Sequence, residues 1–109
     1  MTPHYRLRFF FDAGSGVCLW SGNATTSARY GIAILPEQLP LSPYTQRWVN
    51  QLVAQYDTSL NWDDPTGPSP WSPAECEHFN ATAARALLSQ IRAQLGEDYD
   101  VVDEFLPVR

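Results

Sequence analysis

Nine prolines in 109 residues decide where regular structure can run, because each removes an amide donor and fixes its own φ. Pro36, Pro40 and Pro43 punctuate residues 35–42, and Pro65, Pro68 and Pro70, with Gly67 and Ser69, fill residues 61–71. Long regular elements are excluded from both tracts, and the second reads as a stiff, extended loop. Two prolines mark beginnings instead. Ser42-Pro43 and Ser72-Pro73 each set a capping hydroxyl directly before proline at the first helical position. Behind Pro43, the residues Trp48, Val49, Leu52, Val53, Tyr56 and Leu60 recur at helical spacing, which predicts an amphipathic helix over about 43–60. Behind Pro73, Ser72 and Glu75 fit a capping box. Phe79, Ala83, Leu87, Ile91 and Leu95 then recur every four residues up to Gly96, predicting a second helix over about 73–95.

The stretch before Pro36 reads differently. Tyr5, Leu7, Phe9 and Phe11 alternate with Arg6, Arg8 and Phe10, the period-two pattern of a strand with one buried face. Asp12-Ala13-Gly14-Ser15-Gly16 is a turn, and Val17-Cys18-Leu19-Trp20 a second short strand, together a β-hairpin. The turn has neither the order of a phosphate-binding loop nor, around Ser15, that of a serine-hydrolase elbow. Asn23 caps a short helix ending at Gly31, although Thr25, Thr26 and Ser27 are poor helix formers. Tyr99–Phe105 reads as a last strand whose acids mark an edge, antiparallel or parallel to a hairpin strand. The expected architecture is one α+β domain over residues 1–109: a two-layer arrangement of a three-strand sheet, hairpin plus C-terminal strand, packed on two long helices.

Charge excludes several functions. The chain carries seven arginines, no lysine and twelve acids, for a net charge of -5. Residues 1–56 hold four arginines against Asp12 and Glu37, whereas residues 57–109 hold ten acids against Arg85, Arg92 and Arg109. Phosphate backbones and anionic membrane surfaces need clustered cations, so neither nucleic acid nor a membrane is an expected partner. No apolar run is long enough to span a bilayer, and the first residues lack the features of an export signal, which makes the cytoplasm the expected location.

Candidate chemistry is sparse. Cys18 and Cys76 have no zinc-ligand spacing and read as buried, inert thiols. Glu75 and His78 form one ExxH pair at helical spacing, whereas carboxylate metal sites built this way need the motif twice. Asp57–Asp64 lacks the glycine and the closing glutamate of a calcium loop, and Asp63-Asp64-Pro65 reads as turn chemistry. No metal and no cofactor are therefore expected. Trp62 and Trp71 bracket the proline loop among acids, either as lids over the core or as anchors for a partner.

The segments Leu39–Pro43, Tyr56–Pro65, Trp71 and Glu75–Asn80 resemble those of small bacterial proteins without assigned activity, over residues 39–96. In size and acidity the chain is also similar to toxin-neutralising immunity proteins, which implies a protein partner. The expectation is a non-enzymatic, cytoplasmic protein-binding domain, of immunity type in its most concrete form. Its basic partner would meet Asp57, Trp62, Asp63, Asp64, Trp71, Glu75, Glu77 and His78. The alternative is a small metal- or ligand-dependent enzyme using Glu75, His78 and the nearby aspartates.

Overall fold

A computed structural model describes residues 3–109. The alternating N-terminal segment forms β1 (Tyr5–Phe9), and its partner β2 (Leu19–Ser21) runs antiparallel to it, with Arg8 opposite Trp20 and Phe9 opposite Leu19. The short helix α1 (Ala24–Tyr30) follows. Asn23 caps it by accepting from the Thr26 amide, and Gly31 ends it at φ +85°. A two-residue strand, β3 (Ala33–Ile34), then pairs antiparallel with β2. The last strand, β4 (Tyr99–Asp103), lies parallel to β1. The sheet among the described residues therefore has four strands in the order β3-β2-β1-β4, one more than the three expected. The extra strand is too short, between Gly31 and Pro36, to display any alternation.

The first long helix, α2, spans Pro43–Asp57 and starts where Ser42 accepts from the Thr45 amide. It stops three residues short of the expected end. Thr58 and Ser59 donate back to Gln55 and Tyr56, tightening the last turn and leaving Leu60 outside it. The second helix is broken rather than continuous. Helix α3 (Pro73–His78) passes through a π-helical turn (Phe79–Ala83) into α4 (Ala84–Leu95). The cause lies in the apolar spacing. Repeating every four residues on a helix of 3.6 per turn, the stripe drifts steadily around the axis. One wide turn, closed by the Ala84 amide donating to the Phe79 carbonyl, absorbs that drift. It buries Phe79, Ala84, Leu87, Leu88, Ile91 and Leu95 on one side.

That side meets α2 and one face of the sheet. Leu7, Phe9, Leu19, Ile34 and Val101 from the strands, Val49, Leu52 and Val53 from α2, and the α4 stripe form one core. Aromatic rings close its end. Phe9, Phe11, Phe79 and Phe105 pack edge-on or tilted, with centroids between 5.3 and 6.4 Å. The opposite sheet face stays open and carries the ion pairs Arg6–Asp100 (3.1 Å) and Arg8–Glu104 (2.7 Å). Arg85 on α4 pairs with Asp103. Three of the acids of the second half thus sit against arginines. Two of those arginines belong to the first half, so the parallel pairing of β1 with β4 joins the two charge regions. Among the described residues no helix is long and apolar enough to cross a membrane.

Beyond β4 the chain becomes a strap. Phe105 enters the core, and Asn80 in the π turn then grips the tail: its Nδ2 donates to the Val108 carbonyl (2.9 Å) and its Oδ1 accepts from the Val108 amide (2.8 Å). The Ser69 amide donates to the Arg109 carbonyl, bringing the proline loop to the same place.

Candidate functional site

One end of the molecule gathers the β1–β2 loop, the C-terminal end of α2, the proline loop and the tail. Asp57, the last residue of α2, holds the first two together, its Oδ1 accepting from the Gly14 amide (3.0 Å). Gly14 stands at φ +83°, a conformation that suits glycine, and its α-carbon faces the Trp62 ring. Trp62 Nε1 donates to the Asp57 carbonyl (3.0 Å), so Asp57, Gly14 and Trp62 form one fixed unit. The Trp62 side chain is nevertheless 59% exposed. Trp71 differs. It donates to the Thr58 hydroxyl (2.9 Å) and packs its half-buried ring 5.3 Å from Phe79. Trp71 is therefore a lid over the core, whereas Trp62 offers its indole to solvent.

Asp63 and Asp64 follow in a turn organised by Asn61, whose Oδ1 accepts from both aspartate amides (3.1 and 3.2 Å). Asp64 Oδ1 also accepts from the Thr66 hydroxyl, while the Asp63 and Asp64 residues remain exposed. The turn chemistry expected of Asp63-Asp64-Pro65 is what forms.

Helix α3 holds Glu75 in its cap. The Glu75 carboxylate accepts from the Ser72 amide and the Ser72 hydroxyl accepts from the Glu75 amide, both at 3.1 Å, completing the capping box. Glu75 is engaged there rather than with His78. Glu77 and His78 are exposed on α3, and among the described residues no hydrogen bond or ion pair links them to Asp57, Asp63 or Asp64. Nor do those residues contain a group of three or more His, Cys, Asp or Glu able to hold a metal ion. Both cysteines are free. Cys18 is buried as expected, and burial pushes its thiol up to about 12. Cys76 is only half-buried, a departure from the expected pair of buried thiols, because the first turns of α3 project from the core.

Beside Asp57 lies a feature that no local sequence pattern reveals. Tyr56 stacks on Phe11 (5.1 Å between centroids) and forms the floor of two clefts. One, of about 280 Å³, is lined by Arg8, Phe10, Phe11, Tyr56, Glu104 and Leu106. The other, of about 170 Å³, lies toward the proline loop and takes Pro107, Val108 and Arg109 as a wall. The tail thus separates the two. Burial, and then the carboxylates of Asp12 and Asp57, push the Tyr56 hydroxyl above its ordinary range. Tyr56 had looked like one more member of the α2 stripe. Leu106, 80% exposed, belongs to no periodic pattern in the sequence.

A family model described as Serratia CdiI immunity protein-like matches residues 6–103, from the second residue of β1 to the last of β4. No curated protein matches the chain.

Proposed function

Because the chain belongs to the Serratia CdiI immunity protein-like family, we propose that it binds a toxin in the cytoplasm and neutralises it stoichiometrically, without catalysis of its own. The toxin face it meets is basic. The observation that carries this reading is the distribution of acids left after pairing. Asp100, Asp103 and Glu104 lie against arginines and Glu75 caps a helix. Of the acids without an arginine partner, Asp12, Asp57, Asp63 and Asp64 belong to the β1–β2 loop, the end of α2 and the proline loop around the exposed Trp62, whereas Glu37, Glu77, Glu97 and Asp98 lie elsewhere. A fixed aromatic ring amid acids supports docking of a basic protein: the ring supplies desolvated contact area and the acids accelerate encounter. Of the residues expected at this surface, Asp57, Trp62, Asp63 and Asp64 form its centre. Glu77 and His78 lie on α3 beyond the loop, Trp71 packs on Phe79, and Glu75 caps α3. Immunity proteins act by occupying their target, so the surface needs rigidity rather than reactive groups. The Trp62–Asp57–Gly14 unit provides it.

The test is co-expression with a toxin whose gene adjoins this one. Wild-type protein restores growth and co-purifies with the toxin, whereas the triple substitution Trp62→Ala, Asp63→Asn, Asp64→Asn weakens both. Full protection by a folded triple variant would place the interface elsewhere. No protection by the wild type would dismiss the immunity reading for that toxin.

A further inference from the structure

The larger cleft has a composition of its own. Four of its six lining residues are Phe10, Phe11, Tyr56 and Leu106. The other two, Arg8 and Glu104, neutralise each other: Arg8 Nε reaches both carboxylate oxygens at 3.0 Å and its Nη2 reaches one at 2.7 Å. The cleft therefore presents apolar walls and no uncompensated charge. Its volume of about 280 Å³ lies at the lower end of the roughly 300–1,000 Å³ usual for small-molecule sites, with room for one large apolar side chain. Leu106, at 80% exposure, stands on the rim, where cover by an apolar group removes its surface from water. Outside the rim the chemistry changes sign. Asp12 follows Phe11 and Asp57 follows Tyr56, the two rings stacked in the cleft, and Asp57 leads through Trp62 to Asp63 and Asp64. Arg109 is the one charged residue lining the adjoining cleft.

We propose that the cleft between Phe10, Phe11, Tyr56 and Leu106 is an anchor pocket for one large apolar side chain carried on a basic segment of the protein partner. The apolar group enters the cleft and the flanking cations lie along Asp12, Asp57, Asp63 and Asp64. Charge complementarity selects the segment and the pocket selects its central residue. This deepens the preceding reading and rests on it for the basic character of the partner.

The test uses no toxin, so its outcome is separable from that of the immunity reading. Acetylated and amidated pentapeptides Lys-Lys-Phe-Lys-Lys, Lys-Lys-Ser-Lys-Lys and Glu-Glu-Phe-Glu-Glu are titrated into the full chain, with amide proton–nitrogen correlation spectra as the readout. The basic phenylalanine peptide moves the amide resonances of Phe10, Phe11, Tyr56 and Leu106 saturably. The serine peptide binds about tenfold more weakly, and so does the phenylalanine peptide to Leu106→Ser, as expected when about half of a large apolar side chain loses its contact. The acidic peptide gives no saturable shift. Because Leu106 is exposed, its substitution leaves the core intact, which the dispersion of the same spectra verifies. Equal affinities for the two basic peptides, equal affinity in Leu106→Ser, shifts mapping away from the cleft, or no binding would each overturn the proposal. Toxin neutralisation without peptide binding would leave the immunity reading standing and remove the pocket.

Discussion

Replacing Asn80 by alanine should loosen the strap that separates the two clefts, and the size of the effect follows from two hydrogen bonds. Asn80 satisfies both the amide and the carbonyl of Val108, at 2.8 and 2.9 Å, in a partly buried setting. Each such bond contributes about 1 kcal/mol net, so losing both costs about 2 kcal/mol. Alanine returns about 0.5 kcal/mol through its better helix propensity. The net loss of about 1.5 kcal/mol lowers the melting temperature by about 6–12 °C for a domain of this size. Circular dichroism melts measure that shift, and hydrogen exchange at the Val108 amide localises it to the tail. Asn80→Asp sharpens the reasoning. The introduced carboxylate still accepts from the Val108 amide, but its second oxygen faces the Val108 carbonyl, so at neutral pH the variant is no more stable than Asn80→Ala. Protonation replaces that repulsion with a donor, and the folded-state pKa of the new group is accordingly raised. Its stabilising form is fully present only below the unfolded value of about 3.9, and the variant gains on Asn80→Ala as the pH falls toward it. An Asn80→Ala protein that melts within about 2 °C of wild type, with Val108 still protected, would refute the assignment of the strap to Asn80.

Ser72→Ala removes the hydroxyl from the α3 capping box and should cost about 1 kcal/mol in urea unfolding; an unchanged midpoint would show the box to be dispensable. Iodoacetamide at mildly alkaline pH should label Cys76 in the native protein and Cys18 only after unfolding, since burial raises the Cys18 thiol to about 12 and leaves a thiolate fraction on the order of one in ten thousand at pH 8. Labelling of both at one rate without denaturant would contradict the burial of Cys18. The hydrogen bond from Arg8 holds Glu104 below its ordinary value near 4.5, so its contribution is present above that value and is lost as the pH falls through the depressed one. Glu104→Gln should therefore lose less stability than wild type on acidification below about pH 5, and parallel acid profiles would reject the linkage.

The proline tracts and the two Ser-Pro starts were enough to place α2 and α3 because capping and the missing proline amide act locally. The hairpin was legible for the same kind of reason, through the alternation of Tyr5, Leu7, Phe9 and Phe11. What escaped depended on distant partners. Ala33-Ile34 is a strand only because Leu19 and Trp20 lie beside it. The four-residue repeat of Phe79 to Leu95 contained the strain that the π turn relieves, but which turn would widen is settled by what Phe79 packs against. At the site, Asp57, Trp62, Asp63 and Asp64 were recognisable as an acidic aromatic loop. Nothing local distinguished Trp71, whose ring meets Phe79, from Trp62, whose ring does not. Tyr56 and Leu106 become a pocket only once the tail has crossed the end of α2.

The parallel partnership of β1 with β4 also bears on how the protein comes into being on the ribosome. Arg6 and Asp100 are 94 positions apart, and closing a loop of that length costs about 2 kcal/mol more chain entropy than closing a hairpin of about a dozen residues. During synthesis the N-terminal hairpin emerges first, with one edge bare until nearly the whole chain has followed. High contact order of this kind slows folding and prolongs exposure of the unpaired edge. On the proposed immunity reading, a newly made molecule becomes a competent inhibitor only after its final strand has docked, so protection should lag translation by the time of that last step.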